Sequence, residues 1–189
     1  MTSVFLVRHA QPDSSWADDR TRPLTALGLA ERKKVTELLL KISIDVFFSS
    51  PYKRSMDTIS ECANILKMDI HTDERFRERQ VGELGYAYIQ LEKRWSDFNF
   101  AEPGGESLGS VQSRNIEAFK EVLASNNNKN IVIGTHGVAL STIINYYDSS
   151  FACEEFELIR ACMPYIIRLD FENNKYIHRE ELLKVESFY

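Results

Sequence analysis

The sequence predicts an α/β fold with a mostly parallel sheet, and three observations predict it. Short apolar runs at 4–7, 45–49 and 130–135 read as buried strands. Each run leads through a turn into a helical pattern, the strand–loop–helix order of open α/β sheets. Basic residues sit where the runs end: Arg8 and His9 after the first, Arg54 after the second, His136 after the third. The carboxyl edge of such a sheet is where ligands bind.

The elements follow in order. Val4-Phe5-Leu6-Val7 is the first strand, and Pro12 forbids its continuation in a central position. The polar stretch 13–23 is a loop, in which Arg20 and Arg22 either face the ligand edge or are solvated. Thr25 reads as a helix N-cap, with Leu24 and Leu29 placed as a hydrophobic staple. Leu27, Ala30, Val35, Leu38 and Ile42 are expected to form the buried face of that helix. After the second strand, Ser50 and Pro51 read as the cap and first position of a helix carrying Arg54, Ile59, Cys62, Ala63 and Leu66.

A short strand is expected at 70–72, where His71 has no second ligand nearby and reads as a structural histidine. Tyr88, Leu91, Trp95 and Phe98 recur at helical spacing until Pro103-Gly104-Gly105. Residues 86–104 are read as a cap over the strand edge, its aromatic stripe serving as core and substrate wall together. Ser107 caps the next helix, with Leu108, Val111, Ile116, Phe119 and Leu123 on its buried face, and Asn126-Asn127-Asn128 ends it. The third strand leads into His136-Gly137 and a helix over 138–147. Strands at 165–171 and 175–183, joined by Asn173-Asn174, form a hairpin at a sheet edge.

With 189 residues the chain suits one domain, 1–189, burying about 70% of the surface its unfolded form exposes. A net charge of −5 argues against a nucleic-acid or anionic-membrane partner but not against a small cationic pocket. Cys62, Cys153 and Cys162 are an odd count without CxxC spacing, so reduced thiols in a cytoplasmic protein are expected. No basic segment followed by a long apolar one opens the chain, and no run approaches a membrane span, so neither signal peptide nor membrane anchor is expected.

Arg8, His9, Arg54 and His136, with Glu78 in the loop before the cap, make an anion site if they converge. Guanidinium forks match phosphate oxygens, each charged hydrogen bond contributing about 1.5–3 kcal/mol. Nearby guanidiniums disfavour the imidazolium form of His9, and a neutral imidazole nitrogen is a nucleophile. One carboxyl group then suffices to protonate a leaving alkoxide, and a bound phosphate dianion favours keeping Glu78 protonated until then.

Six pieces resemble motifs of the histidine phosphatase superfamily, the phosphoglycerate mutase-like family, and they stand in that family's order. They are Leu6-Val7-Arg8-His9-Ala10-Gln11, Arg22-Pro23-Leu24-Thr25-Ala26-Leu27-Gly28, Ser49-Ser50-Pro51-Tyr52-Lys53-Arg54-Ser55, Glu78 before Gly82-Glu83-Leu84, Pro103-Gly104-Gly105-Glu106-Ser107, and Thr135-His136-Gly137. The resemblance implies a three-layer α/β/α sandwich and a phosphohistidine intermediate on His9. It implies that Arg8, Arg54 and His136 hold the phosphoryl group, with Glu78 as acid and then base, and no metal or other cofactor. Gln11, Arg22 and Gly137, within the matching pieces, are expected to contact substrate. Glu74 and Glu83 are the neighbouring carboxylates, but the family's acid precedes the Gly-Glu pair by a few residues, which selects Glu78. Glu106 is expected to order the Gly-Gly turn. Ala10 replaces the family's usual glycine, so its backbone must avoid glycine-only geometry.

Hydrolysis is favoured over mutase chemistry. The family's mutases carry a longer insertion and a Ser/Thr-and-Asn pattern where this chain reads Pro12-Asp13-Ser14-Ser15-Trp16-Ala17. Arg77, Arg79, Lys93 and Arg94 are available for a second anionic group, which keeps a phosphoglycerate mutase-type transfer as runner-up. A protein-directed histidine phosphatase, or a phosphoprotein-binding module without turnover, is the reading from another class. The expected partner is a small phosphorylated metabolite, of modest or moderately apolar body, with the protein a monomer or homodimer.

Overall fold

Alternation along the central strands builds two cores on opposite faces of one sheet. A computed structural model describes residues 1–83 and 90–186. Strand β1 spans Thr2–Arg8 and is buried along its whole length. Val4 and Leu6 face one core, Phe5 and Val7 the other. In β4, Asn130–Thr135, Ile131 and Ile133 join the first core and Val132 the second. This is the period of two that a strand covered on both faces needs.

The sheet has six strands in the order β3-β2-β4-β1-β5-β6. β2 is Val46–Ser49, β3 Ile70–Thr72, β5 Cys162–Glu172 and β6 Lys175–Glu186. β3, β2, β4 and β1 run parallel, and β5 and β6 continue antiparallel as the expected edge hairpin. Helices α1 (Ala26–Leu39) and α2 (Lys53–Leu66) cover one face. Helices α3 (Leu91–Ser96), α4 (Leu108–Ser125), α5 (Gly137–Tyr147) and α6 (Cys153–Ile159) contribute to the other. The result is the three-layer α/β/α sandwich. Each fully buried branched or aromatic side chain contributes about 1.5–3 kcal/mol, so both layers are well anchored.

The structure corrects four local expectations. The buried face of α1 comprises Gly28, Val35, Thr36 and Leu39, while Leu27, Leu29 and Ala30 are exposed. The cause is Gly28: a Cβ there would stand 2.3 Å from the Gln11 carbonyl oxygen, so the helix turns its glycine inward. Ser50 and Pro51 do not start α2, whose N-cap is Tyr52 and first residue Lys53; the Ser50 hydroxyl meets His136 and the Tyr52 N–H instead. Helix α6 forms where the sequence carries no strong periodic signal. In the cap, α3 ends at Ser96, since the Asp97 carboxylate accepts from the Asn99 N–H at 3.0 Å and turns the chain away. Tyr88 lies outside the described residues. Among the described residues no helix is long and apolar enough to cross a membrane.

Candidate active site

Parallel pairing sets the site. β1 and β4 are neighbours with Arg8 opposite Thr135, so the residues following each strand emerge side by side. The His9 N–H donates to the Thr135 carbonyl at 3.2 Å, and the His9 and His136 ring centroids lie 5.3 Å apart. β2 ends beside β4, and the turn after it leads into α2, whose first turn presents Arg54. Three strand ends thus bring four of the named residues to one edge.

Arg54 is buried and donates through Nε to His9 Nε2 at 3.2 Å. Its Nη1 donates to the Asp19 carbonyl at 2.6 Å, and the Asp19 carboxylate pairs with it and with Arg22, at 3.2 and 2.9 Å. The Tyr52 ring lies against Arg54 at 5.0 Å and against His136 at 5.2 Å. Arg8 is buried and donates to the carbonyls of Ile159 and Cys162 at 2.8 and 3.1 Å. Gly137 makes room for it: a Cβ there would stand 3.1 Å from Arg8 Cζ.

The two imidazoles are held differently. His9 Nδ1 lies 2.8 Å from the Ala10 carbonyl, which only accepts, so Nδ1 carries the proton and Nε2 the lone pair. Burial, then the charges of Arg54 and Arg8, hold His9 well below its ordinary 6.5. His136 is fully buried; its Nε2 lies 2.8 Å from Ser50 Oγ, and its Nδ1 has no hydrogen-bond partner among the described residues. Ser50 Oγ also accepts from the Tyr52 N–H at 3.3 Å. Burial, then Arg54 and His9, hold His136 well below 6.5 as well.

The Glu78 carboxylate closes the N-terminus of α5, accepting from the N–H groups of Val138 and Ala139 at 3.1 Å each, and from that of Arg79 at 2.8 Å. The first two are donors that a helix leaves unused at its start. Arg8, His9, Arg22, Arg54, Glu78 and Gly137 all line one cavity of about 470 Å³. Gln11 and His136 stand apart from that lining: the Gln11 side-chain carbonyl accepts from Thr25 Oγ1 at 2.7 Å, so it braces the start of α1, and His136 is fully buried beside His9. Ala10 lies outside the positive-φ residues, so the methyl group fits without glycine geometry, and its N–H donates to Thr58 at 2.9 Å.

The charged residues around the cap are committed to one another. Arg79 and Arg94 both bond Glu102, at 3.1 and 2.6 Å, and the Glu102 side chain is 1% exposed. Burial pushes the Glu102 carboxyl up, but the bond from Arg94 and the charge of Arg79 bring it below its ordinary range. Glu106 pairs with Arg77 at 3.0 Å and Arg114 at 2.8 Å, and also accepts from the Gln80 N–H, so it ties three segments together. Lys93 lies over the Phe100 ring at 4.0 Å. Glu74 pairs with Arg20, and Glu83 is exposed.

Sequence reasoning missed Ser50, Asp19, Thr58 and the Arg79–Glu102–Arg94 cluster. Ser50 and Thr58 lie in or near a flagged motif, which is the one signal that was available for them. Among the described residues, no three His, Cys, Asp or Glu side chains form a group able to hold a metal ion.

Known proteins share both this sequence and this shape. "Probable phosphoglycerate mutase GpmB" of Proteus mirabilis is 27% identical over 192 residues, covering 94% of this chain and 88% of that protein. "Uncharacterized phosphatase PhoE" of Bacillus subtilis is 27% identical over 172 residues, covering 88% of each. The crystal structure of a phosphoserine phosphatase mutant from Entamoeba histolytica, in complex with phosphoserine, has the same fold: TM-score 0.78 at 21% identity, over 97% of this chain and 96% of that one. The model of the histidine phosphatase superfamily (branch 1) matches residues 4–179, and the chain belongs to that superfamily.

Proposed function

We propose that this chain is a metal-independent phosphoric monoester hydrolase that turns over through a phosphohistidine on His9. The observation that carries this reading is the state of the His9 ring. Its Nδ1 is spent on the Ala10 carbonyl, and the lone pair of Nε2 lies among the Arg54 guanidinium and the cavity. Held neutral beside those cations, Nε2 is a nucleophile.

In the first step Nε2 attacks phosphorus while the ester P–O bond breaks, and Glu78 gives its proton to the departing alkoxide. In the second, the Glu78 carboxylate takes a proton from water as the water oxygen attacks phosphorus. The P–N bond breaks, the electron pair returns to Nε2, inorganic phosphate leaves, and Glu78 is again protonated. Arg8, Arg54, Arg22 and His136 meet the charge on the phosphoryl oxygens, His136 doing so with Nδ1 protonated. In phosphoryl transfer such fixed donors and cations lower the barrier more than any other contribution. As substrate enters, a phosphoryl oxygen replaces His9 as the acceptor for Arg54 Nε. Gly137 keeps Arg8 close, and Gln11 acts at second hand through Thr25. The substrate is a small phosphorylated metabolite of the cytoplasm.

Rapid quenching of a reaction with a labelled phosphate monoester tests the intermediate. Acid-labile, alkali-stable label on the peptide containing His9 is the expected result. Turnover by His9→Asn at the wild-type rate would end the proposal.

The name of the Proteus mirabilis relative favours a mutase as second reading. A mutase holds a second anionic group, and Arg77, Arg79 and Arg94 are already paired with Glu106 and Glu102. Interconversion of 3-phosphoglycerate isomers with a bisphosphorylated primer, without net phosphate release, would reverse the preference for hydrolysis.

A further inference from the structure

Away from the phosphoryl end the cavity wall turns apolar. Leu91 and Trp95 of α3, Leu108 of α4, Val138 of α5, Phe156 of α6 and Met163 of β5 line it, so six side chains from five elements converge there. The Trp95 ring is set by neighbours, with its centroid 5.7 Å from those of Phe98 and Phe156 and 6.4 Å from that of Phe151. The wall is therefore packed rather than loose. At about 470 Å³ the cavity falls in the range that encloses a whole small ligand, beyond what a phosphoryl group needs.

The charges nearby point the same way. Arg79, Arg94 and Arg160 reach the cavity; the first two guanidiniums are held by Glu102, and Arg79 also donates to the carbonyls of Gln80 and Glu106 at 3.4 and 3.1 Å. A substrate carboxylate would have to compete with a buried carboxylate already in place. Two guanidiniums sharing one carboxylate keep one net positive charge, which raises the anion affinity of the adjoining phosphoryl end through space.

We infer that the organic part of the substrate is an uncharged apolar group, an aliphatic chain or aromatic ring seated against Trp95, Phe156 and Leu91. This rests on the hydrolase reading above and names its substrate class: an alkyl or aryl phosphate without a second anionic group.

Methyl, butyl and hexyl phosphate release alcohols of similar acidity, so their kcat/KM values compare binding of the chain alone. The expected rise is about fourfold per methylene until the wall is covered. Hexyl phosphate is expected to exceed both 3-phosphoglycerate and phosphoserine. Trp95→Ala should shrink the hexyl-to-methyl ratio by about tenfold or more, and Phe156→Ala is the second variant should Trp95→Ala fail to fold. A readout independent of turnover is hexylphosphonate, which has no cleavable ester. In a Trp16→Phe background it should quench Trp95 fluorescence at lower concentration than methylphosphonate. A flat chain-length series with His9-dependent turnover intact, or a preference for 3-phosphoglycerate or phosphoserine, overturns the inference and leaves the hydrolase standing. Length-dependent phosphonate binding without phosphohistidine supports the apolar chamber and removes the mechanism instead.

Discussion

His9 and His136 both follow a buried parallel strand, yet they offer opposite ring nitrogens. His9 is anchored locally: Nδ1 meets the carbonyl of the next residue, and Nε2 is left facing Arg54. His136 is anchored from a distant loop: Nε2 meets Ser50, and Nδ1 is left without a partner among the described residues. Both rings are buried and both are held neutral by burial and by guanidinium charge. Chemical type and setting therefore do not separate them. What separates them is which nitrogen each neighbour takes: Nδ1 at His9, leaving the Nε2 lone pair, and Nε2 at His136, leaving Nδ1. On the proposed mechanism, two copies of one strand-end pattern are thereby divided into a nucleophile, His9, and a phosphoryl-oxygen donor, His136.

Removing each ring in turn puts that division under the greatest stress. His9→Gln should lose activity by about 10⁴-fold or more and yield no phosphoenzyme, since the covalent route is gone. His136→Gln should lose about 10²–10³-fold, the cost of one donor to a charged transition state, while still yielding labelled His9 on rapid quenching. Equal losses, with no label in either variant, would erase the distinction. Next in size, Glu78→Gln should cost about 10²–10⁴-fold with alkyl phosphates and far less with p-nitrophenyl phosphate, whose leaving group needs no proton. An equal loss on both esters would assign the proton to another group.

Ser50→Ala probes the same division without touching either ring. With His136 Nδ1 protonated as the proposed mechanism requires, it frees Nε2 to take that proton, and a loss of about tenfold in kcat is expected, without loss of the phosphohistidine. The smallest effect is on stability. The unfolded chain takes up a proton at each histidine near pH 6.5, whereas the folded chain resists it to lower pH. Stability is thus complete above about pH 6.5 and declines as pH falls below it, by up to about 1.4 kcal/mol per pH unit for each ring. Denaturant melts between pH 7 and 5.5 should record this decline, with a shallower slope in His136→Gln.

Much of this molecule was legible because local chemistry decides it. Apolar runs bounded by turn residues marked the strands, and Thr25 and Ser107 cap their helices as their residue type demands. A cation or an imidazole directly after a strand had to emerge at the sheet's carboxyl edge, which is why Arg8, His9, Arg54 and His136 were found by inspection. The face of α1 was misread because periodicity weighs Leu27 and Ala30 as apolar and cannot see Gly28 meeting the Gln11 backbone. Arg77, Arg79 and Arg94 looked available because charge in a sequence carries no partner.

Hydrophobic period and residue order were enough to set the α/β class, the strand ends and the residues that gather at the sheet's carboxyl edge. Folding in three dimensions was needed to choose which ring nitrogen each neighbour takes, which arginines Glu102 and Glu106 hold, and that one wall of the pocket is apolar. Those outcomes depend on contacts between residues far apart in the chain, such as Ser50 with His136 and Arg8 with Ile159, and only the closed sandwich brings them within bonding distance.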